Sequence, residues 1–241
     1  MAVTQLTRDI AIIPGLVNVY ILQTDDGLVI LDTGFPGRAQ KILNAVRSLG
    51  KLPSDVRHMV LTHCHPDHTG RAAALQHATG ATVWAHPLDA PMMEAGTTMR
   101  EPMCPSPGLR NHILARLLAG RVAQVEPVKV DRFLEEGQNP AFAPDMTVIH
   151  LPGHCQGQIA LLWHRHGGVL FPADSCINRR GLKLPVGTED ARLALASLAR
   201  LARFEFDKVF VMHGKPVLSG GAAEFRRTVF DTFKPKLGVS A

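Results

Sequence analysis

The stretch Thr62-His63-Cys64-His65-Pro66-Asp67-His68-Thr69-Gly70 constrains this chain more than any other. It puts three imidazoles and a carboxylate into six consecutive residues, at a point where an apolar run gives way to a helical pattern. Imidazole nitrogen and carboxylate oxygen are the usual protein ligands of zinc, and they also suit iron and manganese. His63 and His65 share one parity, so in extended chain they face the same way and can bite one ion. Asp67 and His68 follow where the chain turns into a helix, and can face a second ion beside the first.

Further candidate ligands each stand just past a short apolar run. Thr147-Val148-Ile149-His150-Leu151 leads into Pro152-Gly153-His154, Gly168 to Ala173 ends in Asp174, and Val209 to Met212 ends in His213-Gly214. Short apolar runs bounded by Gly and Pro read as buried strands. A ligand at each strand end, followed by a Gly-containing loop, lets a rigid sheet hold a site at its rim. Val17 to Thr24 and Gly27 to Asp32 read as strands joined by a hairpin at Asp25-Asp26-Gly27. Ala39 to Leu49 reads as a helix stopped by Gly50, His58 to Thr62 as the strand that delivers the His-rich loop, and Thr69 to Thr79 as an Ala-rich helix stopped by Gly80. Thr188 is the expected N-cap of a long helix to Ala202, and Ala222 to Phe233 the last helix. Strands alternating with helices point to a mixed α/β architecture.

Taken in order, these motifs resemble the metallo-β-lactamase superfamily: an Asp after an early strand (Leu31-Asp32-Thr33-Gly34), His-x-His-x-Asp-His, Pro-Gly-His, a lone Asp after an apolar strand, and a late His-Gly. The resemblance implies an α/β (α+β) fold, a four-layer αβ/βα sandwich of two mixed β-sheets flanked by helices. It also implies two divalent ions, zinc first and iron or manganese as alternatives. His63, His65 and His154 would hold one ion, Asp67, His68 and His213 the other, and Asp174 would bridge them. Asp32 would orient a group of the His-rich loop from behind. Two such ions acidify the water between them and polarise a carbonyl, so the expected activity is a dinuclear metal-dependent hydrolase in which a metal-bound hydroxide attacks a lactone, thioester or β-lactam. Asp67 is the candidate catalytic residue, because it can also aim that nucleophile.

The same superfamily contains mononuclear iron dioxygenases acting on persulfides, which would use His63, His154 and Asp174. The run Ser175-Cys176-Ile177-Asn178-Arg179 lacks the Gly-Cys-Gly-Arg such enzymes carry, and the chain keeps His68 and His213, which a single ion does not need. Phosphodiester cleavage of nucleic acid lacks a basic patch: the net charge of +5 is modest and the Lys and Arg are scattered. No Gly-x-Ser-x-Gly motif supports a serine route.

The 241 residues read as one domain, 1–241, with a lid-like insertion at about 87–126 that is rich in Pro and Met and lacks clean periodicity. Within it Leu109, Ile113, Leu117 and Leu118 recur at helical spacing up to Gly120. As a lid, the insertion implies a small-molecule substrate with an apolar part. No apolar run is long enough to span a bilayer, no nucleic-acid or membrane partner is expected, and the oligomeric state is open. Cys64, Cys104, Cys155 and Cys176 lack the spacing of a disulfide framework, so a cytoplasmic setting is expected. Cys64, Cys155 and Cys176 flank proposed ligands and read as small side chains packed beside the site. His86 reads as a hydrogen-bonded strand-end histidine. Asn178 and Lys183 are the nearest candidates for substrate contacts.

Overall fold

A computed structural model describes residues 3–98, 103–106, 108–118 and 124–233. Met99, Pro107, Gly120 and the side chains of Leu117 and Leu118 lie outside the described residues. The strands are β1 (Thr4–Thr7), β2 (Ile10–Ile13), β3 (Val19–Thr24), β4 (Gly27–Leu31), β5 (Val56–Val60), β6 (Thr82–Ala85), β7 (Cys104–Pro105), β8 (Arg132–Phe133), β9 (Met146–His150), β10 (Ile159–Trp163), β11 (Val169–Phe171), β12 (Ile177–Asn178), β13 (Leu182–Lys183), β14 (Gly187–Thr188) and β15 (Lys208–Val209). The helices are α1 (Gln40–Ser48), α2 (Pro66–Thr69), α3 (Ala72–Thr79), α4 (Ala90–Ala95), α5 (Leu109–Leu118), α6 (Ala191–Leu201) and α7 (Gly221–Arg227).

One sheet runs β1-β2-β3-β4-β5-β6-β8, the other β15-β11-β10-β9. Both are mixed. The first is antiparallel as far as β4 and parallel from β4 to β8. The second is antiparallel from β9 to β11 and parallel between β11 and β15.

Strand periodicity divides the apolar side chains into layers. On β3, Tyr20 and Leu22 face the second sheet, joining Leu161, Trp163, Phe171 and Phe210 in the core between the sheets. Val19 and Ile21 face outward, under Ile42 and Val46 of α1 and Leu75 of α3. On β10, Ala160 and Leu162 face outward beneath Leu198 of α6 and Phe225 of α7. Helix, sheet, sheet, helix is the expected four-layer sandwich. Burial on both faces explains why the central strands read as continuous apolar runs rather than alternating ones. Tyr20 fills the middle of this core and donates its hydroxyl to Val211 O at 2.7 Å, so it is spent on packing.

The β3–β4 hairpin turns through Asp25 and Asp26, with Thr24 opposite Gly27, as the sequence suggests. Three expected helices differ. The Thr69–Thr79 helix is two pieces, because the Gly70 and Arg71 N–H groups are drawn away to Gly34 O and Thr33 Oγ1, each at 3.1 Å. The N-cap of α6 is Asp190, whose carboxylate accepts from Arg192 N and Leu193 N at 2.9 Å, while Thr188 pairs with Cys104 across β14 and β7. The last helix widens after Arg227 into a π-type turn over Thr228–Phe233. Arg226 of α7 donates to Ala202 O and Phe204 O and pairs with Glu205, tying this helix to the end of α6.

The described residues of 87–126 behave as two parts. Ala90 and Met93 of α4 are buried in the core under the first sheet. Beyond it, Leu109 and Ile113 of α5 are exposed, and Cys104–Pro105 is tied to Gly187–Thr188.

Candidate metal centre

The candidate ligands stand on loops at one end of the two sheets. β5 runs into Thr62 and the His-rich loop, and His65 is the extended residue that precedes α2. β9 leads through Pro152-Gly153 to His154. Gly153 has φ +134°, and a Cβ there would overlap the Ala194 backbone of α6, so only glycine lets the helix approach. β11 ends at the turn holding Asp174. After β15 the chain reaches His213-Gly214, where Gly214 has φ +102° and a Cβ would overlap Asn178 O.

The geometry brings together all seven residues expected from the sequence. His65 Nδ1 lies 3.1 Å from His63 Nε2 and 3.0 Å from His154 Nε2. Beside this trio, His213 Nε2 is 3.4 Å from Asp67 Oδ2, and His68 Nε2 is 3.8 Å from the same oxygen. Asp174 stands between the sets: Oδ2 is 3.7 Å from His154 Nε2 and 3.1 Å from His213 Nε2, and Oδ1 is 3.5 Å from His68 Nε2.

Behind four of the five imidazoles an oxygen contact orients the ring. His63 Nδ1 meets Thr62 Oγ1 at 3.0 Å, His68 Nδ1 donates to Asp32 Oδ2 at 2.7 Å, His154 Nδ1 donates to Gly187 O at 2.9 Å, and His213 Nδ1 donates to Leu16 O at 2.9 Å. Each of these rings therefore turns its other nitrogen toward the centre. Asp32 fills its expected place behind the ligands: besides His68 it accepts Thr62 N and Thr62 Oγ1, both at 2.8 Å.

Does this donor set fit metal ions? His65 Nδ1 sits within hydrogen-bond distance of two other ring nitrogens, and no arrangement of protons gives all three a partner once their remote N–H groups are spent. Two further buried atoms at the centre, His68 Nε2 and Asp174 Oδ1, have no hydrogen-bond partner. Buried polar atoms left in this way are costly unless something else binds them. Nitrogen and carboxylate oxygen at these separations are what divalent ions of the zinc class accept. The residues fit.

The two sets differ in charge. Burial, reinforced by neighbouring imidazoles, holds His63 well below the ordinary histidine range; burial likewise takes His65 to about 4 and His154 to about 3. The first set is thus neutral and ready to ligate. In the second set burial acts the same way on the imidazoles, but the carboxylates outweigh it: Asp174, Asp67 and Asp32 hold His68 well above its usual range, and Asp174 and Asp67 hold His213 at about 10. Burial pushes Asp67 up, yet His68 and His213 bring it down to about 2, and the same two imidazoles hold Asp174 well below the carboxylate range. The second position draws positive charge, and protons supply it where no ion does.

Some of the scaffold escaped the sequence reading. Asp89, buried in the insertion, accepts Cys64 N at 2.9 Å and Gly157 N at 2.8 Å, pinning the His-rich loop to the His154 loop. Gln158 accepts Asp174 N at 3.1 Å and donates to Leu151 O at 3.3 Å and Ser175 Oγ at 3.0 Å. A polar residue opening the all-apolar β10 was the one available signal; Asp89 gave none. The Asn178 side chain is occupied by Lys215 O and Gly181 N and braces the loop, while Lys183 pairs with Ile177 through its backbone and its side chain is exposed. His86 accepts Leu88 N at 3.2 Å and stacks on His150, as expected of a strand-end histidine. Cys155 does more than pack: its Sγ lies 3.3 Å from His65 Nε2. Burial pushes the Cys155 and Cys176 thiols up, which keeps both neutral.

A profile of the metallo-beta-lactamase superfamily matches residues 12–213, from β2 through the last ligand. The chain belongs to the metallo-β-lactamase superfamily. It is 30% identical over 184 residues to "Uncharacterized protein YobT" of Bacillus subtilis (strain 168), covering 75% of this chain and 70% of that one. To an N-acyl homoserine lactonase of a Bacillus species it is 23% identical over 229 residues, 84% of this chain and 79% of the lactonase. Among solved structures, the class B3 di-zinc metallo-β-lactamase LRA-12 from an Alaskan soil metagenome superposes with a TM-score of 0.74 at 19% identity, covering 99% of this chain and 94% of that one. Membership places the chain in a superfamily of metallo-hydrolases. Among the described residues no helix is long and apolar enough to cross a membrane.

Proposed function

We propose that the chain is a dinuclear metal-dependent hydrolase acting on a small molecule with an ester-like carbonyl and an apolar part. One observation carries this reading: seven donors converge in two adjoining sets that share Asp174, where a single ion needs about four. His63, His65 and His154 would hold the first ion, Asp67, His68 and His213 the second, with Asp174 between. Bound there, the ions would supply Lewis acidity and a water acidic enough to react near neutral pH.

The chain's own residues direct the rest. Asp67 and His213 are the most exposed of the ligands, with side chains 20% and 14% exposed, so substrate approaches over the second set. Asp67 accepts a hydrogen bond from the attacking water and aims it at the carbonyl. Two exposed apolar residues adjoin the site through the backbone: Leu16 is 73% exposed and its carbonyl holds His213, and Phe35, 43% exposed, follows the Thr33–Gly34 turn bonded to the end of α2. Such a rim would favour an acyl or other apolar group, and the similarity to an N-acyl homoserine lactonase supports lactones as the first substrates to test. Among the described residues the four cysteines are free, which suits a reducing cytoplasm.

A mononuclear iron dioxygenase would leave Asp67 and His213 without work, yet they are assembled 3.4 Å apart. The test is metal analysis of protein purified without added metal, beside assays on lactones, thioesters, β-lactams and glutathione persulfide. Two ions per chain with turnover of an acyl substrate is the expected result. One iron, unchanged by added zinc or manganese, with persulfide oxidation would overturn the proposal.

A further inference from the structure

The five ligand imidazoles are not backed alike. Four have an oxygen behind them: a hydroxyl at His63, a carboxylate at His68, and backbone carbonyls at His154 and His213. His65 has sulfur. Its Nδ1 faces His63 Nε2 and His154 Nε2, so to ligate an ion it must leave Nδ1 bare and carry its proton on Nε2. That N–H is buried and needs an acceptor, and Cys155 Sγ stands 3.3 Å away.

We infer that Cys155 is a positioning residue for the first metal position, its sulfur accepting the His65 Nε2–H and thereby holding the ring with Nδ1 toward the ion. Cys155 takes the place that oxygen occupies behind the other four rings. The inference rests on the reading of the site as a metal centre. The thiol hydrogens have somewhere to go. Cys64 and Cys155 Sγ lie within 4.8 Å of each other, and the Cys64 thiol donates toward Thr98 O at 3.9 Å. With Cys155 accepting from His65, the Cys64 thiol is free to point at Thr98 O. The cysteine inside His63-Cys64-His65 and the one after His154 are therefore neighbours behind one ligand. A thiol is a weaker and longer acceptor than a carbonyl or carboxylate, which makes His65 the least firmly held of the five rings.

The experiment uses the whole chain and follows metal rather than turnover alone. Wild type, Cys155→Ala, Cys155→Ser and Cys64→Ala are loaded with zinc, and the tighter ion is competed away with a chelator. Thermal unfolding of each metal-free protein is recorded alongside. Removing the partner behind a ligand histidine commonly weakens metal binding by about 10–100-fold. Cys155→Ala should show a loss of that size, Cys155→Ser should recover most of it through its hydroxyl oxygen, and Cys64→Ala should lose a few-fold at most. Unchanged affinity in Cys155→Ala would overturn the inference. So would equal losses in the Ala and Ser variants that track lower stability of the metal-free protein, because that is the behaviour of packing. Cobalt loading separates a third outcome: a thiolate-to-metal charge-transfer band absent from Cys155→Ala would make Cys155 a direct ligand and end the positioning role. Wild-type stoichiometry, measured first, keeps the two proposals apart. One ion per chain would sink the dinuclear reading and still leave the His65 position to test.

Discussion

The two ligand sets differ more in electrostatics than in composition. His63, His65 and His154 are buried and neutral, and they converge with their lone pairs exposed to one another. Asp67, His68 and His213, with Asp174, form a charged cluster in which acidic oxygens keep protons on the imidazoles. The first position is preorganised for an ion. The second must exchange protons for one. Since the second also faces the opening, the contrast places firm binding at depth and adjustable charge where substrate arrives.

The largest expected effect comes from breaking the exposed set alone. Asp67→Ala removes a ligand of the second position and the group that aims the water. Metal content should fall by about half while activity falls at least about a hundredfold, roughly 2.7 kcal/mol of barrier. His154→Ala should empty the first position instead. Near wild-type hydrolysis by Asp67→Ala would contradict the assigned roles.

Asp32 offers a narrower cut, because it touches His68 but no ligand of the first set. Asp32→Ala should weaken the second ion by about 10–100-fold and leave the first bound. It also strands Thr62 N and the Thr62 hydroxyl, at a cost of about 1–3 kcal/mol for each buried group left unmade. Stepwise metal titration with parallel denaturant unfolding separates the two losses. Equal weakening of both ions would erase the distinction between the sets.

Acid and base should act on different sets in the metal-free protein. An unfolded histidine titrates near about 6.5. His65 and His154 stay neutral in the fold down to about 4 and about 3, so below 6.5 the unfolded chain binds more protons and stability falls as pH drops toward 4. His213 holds its proton up to about 10, so its contribution is complete below 6.5 and is lost as pH rises toward 10. Stability of the metal-free protein should therefore peak near pH 6.5. Zinc, by replacing the proton on His213, should flatten the alkaline arm. Denaturant midpoints across pH, with and without zinc, check both slopes.

The smallest effect belongs to the rim. Leu16→Asn removes an exposed apolar side chain whose backbone still holds His213. KM for acyl-bearing substrates should rise a few-fold, with stability unchanged within about 0.5 kcal/mol. Asp or Asn at Met93, by contrast, should chiefly unfold the protein, because Met93 is in the core. Unchanged kinetics in Leu16→Asn with several substrates would remove the apolar rim from the account.

What the sequence carried was whatever depends on spacing along the chain. The parity of His63 and His65, the apolar runs before His154, Asp174 and His213, and the Asp25-Asp26-Gly27 turn are local patterns, and the fold keeps them. What it hid depends on approach through space. Asp89 joins Cys64 to Gly157, and the Gly187 carbonyl behind His154 is held in place by a strand from the insertion. Neither has a periodic signature. Thr188 looked like a cap because Glu189 and Asp190 follow it; pairing with Cys104 passes the capping role to Asp190. The insertion read as one excursion because Pro and Met obscure the point where buried α4 gives way to exposed α5.

Calorimetric titration of the metal-free protein with zinc at pH 6, in buffers of different ionisation enthalpy, tests the central contrast most directly. At that pH His65 and His154 are already neutral and His213 is still protonated. A metal-bound water, with a pKa near about 7, adds little. Two equivalents should bind, the first releasing almost no protons and the second on the order of one to two. A single equivalent, or the same proton release at both steps, would contradict two unlike positions sharing Asp174.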